Sequence, residues 1–176
     1  AIEGVKCCPA NEVAVAELLA PTGASGKPPI LLAAVSTAGQ GDFPSNSEAF
    51  WHELRTGAAP DAAWAALRFA VLALGDKNYW PRPEEAHFFC KSGKDLDLRL
   101  AELGASRLLP VGLCCDQDDD GWETGFELFE DALVPALSAA AGAAGAAAPA
   151  KKKEKKKKLT GEDIKYGSDF LRGTLA

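Results

Sequence analysis

Three apolar runs without alternation punctuate this chain. They are Ile30-Leu31-Leu32-Ala33-Ala34-Val35, Arg68-Phe69-Ala70-Val71-Leu72-Ala73-Leu74 and Arg107-Leu108-Leu109-Pro110-Val111-Gly112-Leu113-Cys114. Short runs with no period of two read as strands covered on both faces. Pro110 has no N–H to give a ladder, which moves the third run toward a sheet edge. Between and after the runs the spacing turns helical. Residues 47–55 form one such stretch, and residues 87–103 a second, with Phe89, Leu96, Leu98, Leu100 and Leu103 apolar and Gly104 placed as a stop. Residues 122–137 form a third, with Phe126, Phe129, Leu133 and Leu137 three or four apart. A weaker helical turn falls at 62–67. Upstream, 1–8 reads as a short edge strand with a turn, 9–20 as a loop or short helix carrying Val13, Val15, Leu18 and Leu19, and 21–28 as a surface loop. Strand followed by helix, three times over, calls for a parallel sheet with helices on both faces.

Each apolar run opens onto a polar loop at what becomes one edge of such a sheet, where open α/β folds present ligands. The first loop is Ser36-Thr37-Ala38-Gly39-Gln40-Gly41-Asp42-Phe43-Pro44-Ser45-Asn46. The second is Gly75-Asp76-Lys77-Asn78-Tyr79-Trp80, and the third Cys115-Asp116-Gln117-Asp118-Asp119-Asp120-Gly121. Glycine allows tight reversal and close backbone approach, while hydroxyl and amide groups supply hydrogen bonds. Any one of these loops also reads as an ordinary strand-to-helix turn; three at one edge favour a ligand site. Tyr79 is either a stacking face or an aromatic cap on its own loop, and Trp80 belongs with the insertion at 81–83. Asn46 competes as an N-cap for the helix after it. His87, alone near a helix start, reads as a local hydrogen-bonding group rather than a proton-transfer residue.

Composition narrows the function classes. The hydrophobic fraction of 47% suits a globular core, and no run of about twenty apolar residues marks a membrane span. The net charge of −6 is uneven, with 10 basic against 21 acidic residues in 1–150 and 9 against 4 in 151–176. An acidic domain does not match nucleic acid, but it suits a basic protein partner. Asp116, Asp118, Asp119 and Asp120, extended by Glu127, Glu130 and Asp131, are candidates for such steering, or else a solvated face. The lysine run at 151–158 follows an Ala/Gly-rich stretch and reads as a tether. Five cysteines at 7, 8, 90, 114 and 115 have neither framework nor zinc spacing. They read as small buried strand residues in a reducing compartment, the cytoplasm, with a plastid as the alternative. The chain has no Met and begins Ala1-Ile2-Glu3, so it reads as a fragment or a processed chain.

The first loop, the stretch Leu72-Ala73-Leu74-Gly75-Asp76-Lys77-Asn78-Tyr79 and the stretch Lys94-Asp95-Leu96-Asp97-Leu98-Arg99-Leu100-Ala101-Glu102-Leu103-Gly104-Ala105 together resemble the flavodoxin-like, FMN-binding domain of diflavin reductases. The insertion Tyr79-Trp80-Pro81-Arg82-Pro83-Glu84-Glu85-Ala86-His87-Phe88-Phe89-Cys90 and the acidic loop through Gly125 are similar to the flavodoxin-like region of eukaryotic assimilatory sulfite reductase β subunits. Residues 159–176 resemble the opening of the sirohaem, iron–sulfur hemoprotein that follows in those subunits. The resemblance divides the chain into a flavodoxin-like domain at 1–137, a linker at 138–158 and the hemoprotein start at 159–176.

That resemblance implies a doubly wound, flavodoxin-like parallel sheet. It also implies that the usual first strand, which lies mid-sheet between the second and third, is missing with the phosphate loop and first helix, so that the sheet has a gap there or closes up differently. It implies FMN held by Ser36, Thr37, Ala38, Gly39, Gln40 and Gly41, by Leu74, Gly75, Asp76, Asn78 and Tyr79, and by Phe89, Cys90, Cys115 and Gln117. Ala38 stands where relatives often carry an aromatic residue, and Cys114-Cys115 where they carry Gly-Asp; with the phosphate loop missing as well, FMN is expected to bind weakly or not at all. The implied function is electron transfer within an NADPH-dependent sulfite reductase, from an FAD/NADPH-binding reductase to the hemoprotein. A flavin-free docking module is the alternative, and a free-standing flavodoxin a third reading that the tail opposes.

Overall fold

The structure, a computed structural model, describes residues 6–20, 30–58 and 61–140. The expectations for residues 1–5 and 21–28, the linker beyond residue 140 and the hemoprotein-like tail lie outside the described residues. The fold belongs to a compact unit running from Cys7 to Ala148. Its elements are α1 (Val15–Leu19), β1 (Ile30–Ser36), α2 (Glu48–His52), β2 (Arg68–Gly75), α3 (Lys91–Leu103), β3 (Ser106–Arg107), β4 (Gly112–Cys115) and α4 (Glu123–Ala140).

All strand pairs are parallel. β2 is central, with β1 along one side from Ile30↔Arg68 to Ser36↔Leu74. On its other side β3 pairs with the start of β2 and β4 with its end, from Leu72↔Gly112 to Gly75↔Cys115. The third apolar run is therefore one edge strand in two pieces. Leu108 N still donates to Phe69 O at 2.7 Å; residues 109–111, with Pro110 among them, leave the ladder between the pieces, as proline cannot donate to it.

One face of the sheet holds the main core. Phe69 and Val71 from β2 and Val35 from β1 pack with Leu96, Leu100 and Leu103 of α3 and with Phe50, Leu54 and Trp64. Phe69, Leu54 and Leu100 are completely buried, each contributing about 1.5–3 kcal/mol of transfer free energy. α3 lies close enough that a Cβ on Gly93 would sit 2.8 Å from Ala73 Cα. α4 covers the opposite face over β4 and β2, where Gly112 faces Phe129 and Leu72, and Gly125 rests on Leu113 and Cys114.

Several expectations need correction. β2 is buried on both faces, but β1 is not. Val35 is 6% exposed, whereas Leu32, paired with Ala70 on the α4 side, is 49% exposed. β1 is an edge strand that α4 does not reach, and among the described residues nothing pairs with its outer side. The helix expected from His87 begins at Lys91. Residues Pro83–Phe88 form a separate 3-10 helix, and Cys90 breaks the path with φ 55°. Of the apolar positions of that helix, Leu96, Leu100 and Leu103 are buried while Leu98 is 55% exposed.

Asn46 does not cap α2. The N-cap is Ser47, and the cap hydrogen bonds come from Asn11, whose Oδ1 accepts from Ala49 N at 3.0 Å and Phe50 N at 3.2 Å. At the other end, α2 runs on through a wider π turn, Glu53–Gly57. Arg99 of α3 closes that turn, donating to Leu54 O and Ala58 O. Residues 6–9 form no strand, and of the five free cysteines Cys7 is exposed and Cys8 half-buried. Cys90 is buried outside any strand; only Cys114 and Cys115 are buried strand residues.

Candidate functional site

Because β1, β2 and β4 run parallel, their carboxyl ends share one edge, and the three loops leave from it. The first loop doubles back at once. Ala38 N donates to Asp42 O at 2.9 Å and Asp42 N to Ala38 O at 2.8 Å. The reversal needs positive φ at Gly39 (46°) and Gly41 (96°), a region other residues enter at a cost. Gly41 is also packed under the Lys91 side chain. Thr37 N donates to Leu74 O, so the loop starts in register with β2. Behind it, the fully buried Ser92 Oγ donates to Asp42 O at 2.9 Å and lies 3.2 Å from Thr37 Oγ1. The loop then anchors itself in the core through Phe43, stacked on Trp51 with ring centroids 4.4 Å apart.

The second loop is an Asx turn. Asp76 Oδ1 accepts from Asn78 N at 2.7 Å, and Asp76 O from Tyr79 N at 3.3 Å. Trp80 turns inward, 8% exposed, against Phe88, and Tyr79 stands edge-on to it with centroids 4.9 Å apart. Tyr79 itself is 64% exposed. Large aromatics are normally covered; this one offers a flat face at the rim.

The third loop is tied to the second. Asp116 N donates to Gly75 O at 3.0 Å, and Lys77 N donates to Cys115 Sγ at 3.4 Å. Gln117 reaches both Asp76 and Asn78. Lys77 Nζ pairs with Asp118 at 2.8 Å, which raises the Lys77 ammonium above its ordinary value.

Of the residues singled out from sequence, Ser36, Ala38, Gly39, Gln40, Asn78, Tyr79 and Gln117 are exposed at this edge. Thr37, Leu74, Gly75, Asp76 and Phe89 are half-buried, and Gly41 is buried within its turn. Cys90 and Cys115 lie beneath the rim. Cys90 Sγ donates weakly toward Ala73 O and Cys114 O, and burial pushes the Cys90 and Cys114 thiols up to about 11. A Cβ on Gly75 would meet Cys90 N at 3.0 Å, so this glycine serves the packing below the rim. Ser92 escaped the sequence reading, since nothing in a lone helical serine signals a contact 50 residues back.

The residues singled out offer a planar aromatic, main-chain turns and neutral amides, and the cation in these loops, Lys77, is paired with Asp118. Such a set suits a flat, largely uncharged ring better than a phosphate. Among the described residues no group of three or more His, Cys, Asp or Glu is arranged to hold a metal ion, and no helix is long and apolar enough to cross a membrane.

Comparison with known proteins agrees with this geometry. The flavodoxin family profile matches residues 12–129. The chain is 41% identical over 141 residues to the sulfite reductase [NADPH] subunit beta of Schizosaccharomyces pombe, and 45% identical to that of Saccharomyces cerevisiae. Each match covers 80% of this chain but 9% of the relative's length. The sulfite reductase [NADPH] flavoprotein alpha-component of Bacillus subtilis is 44% identical over 90 residues, 51% of this chain and 13% of that protein. Among solved structures, a cysteine-to-serine mutant of flavodoxin from Pseudomonas aeruginosa superposes with a TM-score of 0.51 at 24% identity, covering 65% of this chain and 70% of that one. That likeness speaks for the fold.

Proposed function

This chain belongs to the flavodoxin family, and from that premise we propose that it is an electron-transfer module holding FMN at the common edge of β1, β2 and β4. In this reading it serves an NADPH-dependent assimilatory sulfite reductase. Electrons arrive from an FAD/NADPH-binding reductase domain or subunit and leave to a sirohaem, iron–sulfur hemoprotein, where sulfite is reduced. The similarity to two yeast β subunits and to a bacterial flavoprotein component supports that assignment.

The observation that carries the proposal is Tyr79, an exposed ring standing edge-on to buried Trp80 where three loops meet. Tyr79 would offer the stacking face for the flavin. Residues 36–41 border the ring with main-chain groups held by the reversal at Gly39 and Gly41. Leu74, Gly75, Asp76, Asn78 and Gln117 would complete the seat, with Phe89, Cys90 and Cys115 beneath it. The flavin supplies reversible electron uptake and release; the chain's part is to orient the ring and leave it accessible to partners. Five free cysteines suit a reducing compartment, the cytoplasm or a plastid.

The test is spectroscopic. The full chain, titrated with FMN at equilibrium, is expected to quench the flavin's fluorescence, and the complex at saturating FMN to bleach with dithionite. Its colour should return when the hemoprotein and sulfite are added. Flavin fluorescence that no concentration of the chain quenches contradicts the proposal and leaves a flavin-free docking module in its place.

A further inference from the structure

The loops after β2 and β4 are joined by a side chain that neither loop needs for its own turn. Gln117 Nε2 donates to Asp76 Oδ2 at 2.9 Å, and Gln117 Oε1 accepts from Asn78 Nδ2 at 3.2 Å. The Asp76 carboxylate is then engaged through both oxygens, since its Oδ1 already accepts from Asn78 N at 2.7 Å. One planar amide thereby closes a ring through Asp76 and Asn78, the two residues that shape the turn immediately before Tyr79. The main-chain bond from Asp116 N to Gly75 O and the Lys77–Asp118 ion pair flank it. Among the described residues Tyr79 itself has no such fastening: its N–H bond to Asp76 O is long, at 3.3 Å, and its ring meets Trp80 edge-on.

We propose that Gln117 is a positioning residue, a brace between the loops after β4 and β2 that fixes the place of Tyr79 and so the seat of the flavin ring. The proposal rests on the flavin reading above and adds a device to it. A stacking face works only if it is preorganised, because ordering a loose loop on binding costs affinity. Gln117 does the ordering in advance, acting through Asp76 and Asn78. Glutamine is suited to this because it presents one donor and one acceptor in a single plane. A carboxylate at the same position lacks the donor and faces Asp76 as a like charge.

The experiment uses the full chain with three changes: Gln117→Leu, Gln117→Glu, and Gln117→Glu combined with Asp76→Asn. The last reverses donor and acceptor across the same pair. Gln117 is exposed, so none of these changes opens the core. Without flavin, NMR relaxation at Asn78 and Tyr79 should give backbone order parameters of about 0.85 in the parent and below about 0.6 in both single variants. The double variant should return toward the parent value. FMN binding, read by quenching of flavin fluorescence, should weaken about tenfold in Gln117→Leu, the scale of one lost hydrogen bond of ordinary strength. Unchanged order at Asn78 and Tyr79 in Gln117→Leu overturns the brace, as does loosening that leaves FMN affinity untouched. If the parent itself fails to bind FMN, the flavin reading falls, and the relaxation measurement still decides whether Gln117 holds the loop.

Discussion

At the scale of single residues, close packing rather than charge sets most constraints. Gly93 is the sharpest instance, since a Cβ there would lie 2.8 Å from Ala73 Cα and press helix α3 off the central strand. Gly93→Ala should lower stability by about 1–3 kcal/mol, read as a lower midpoint in urea unfolding with an unchanged slope. The thiols give a second test. Cys90 and Cys114 are buried with pKa pushed from 9.0 to about 11, so burial holds them protonated. Because the folded state keeps these protons longer than the unfolded one, their effect on stability is constant below pH 9 and turns unfavourable as pH rises from 9 toward 11. A thiol reagent at a pH of about 8 should label exposed Cys7 within minutes and reach Cys90 and Cys114 only after denaturation. Sequence alone marked the cysteines as buried strand residues. That holds for Cys114 and Cys115, which pair with β2, and fails for Cys7, which lies in no element. Asn11 was invisible as a cap for the same reason as Ser92: its bonds to Ala49 and Phe50 join residues nearly forty apart.

At the scale of elements, what the sequence made legible depended on whether an element's neighbours are written next to it. β2 reads correctly from its unbroken apolar run because it is central and buried on both faces. β1 has an equally unbroken run, but its second face is covered only if something packs there, and Leu32 stands 49% exposed. An apolar edge strand with no charge along it is a template for further pairing. Leu32→Lys should therefore reduce self-association of this chain severalfold, measured by light scattering, with little loss of fold stability because the side chain already faces outward. The start of α3 was misread because Cys90 adopts a left-handed conformation that no spacing rule predicts. Its burial against Ala73 O and Cys114 O accompanies the break. Pro110 was read for the right physical reason, and its consequence proved stronger than an edge position: the strand divides into β3 and β4.

At the scale of the whole molecule, the parallel sheet brings residues 36–41, 75–80 and 115–121 to one edge, and the alternation of strands and helices made that legible before any coordinates. The cross-loop ties were not legible, since Gln117, Asp76 and Asn78 meet only after the sheet has formed. The chain carries an acidic excess through residue 150, and Asp116, Asp119 and Asp120 are exposed beside this edge. Charge of that sign should steer a basic redox partner. Its association rate, followed by stopped flow, should fall about tenfold between roughly 10 mM and 150 mM salt, as screening shortens the field's reach. A rate indifferent to salt would assign the acidic loop to simple solvation. The claim beneath all of this is that one rim seats a flat redox ring, and mapping FMN onto the chain by amide chemical-shift changes tests it most directly. The account predicts large shifts at Thr37–Gly41, Gly75–Tyr79 and Asp116–Gln117, with the α3 and α4 helices nearly silent; shifts scattered over other surfaces, or none at saturating FMN, would contradict it.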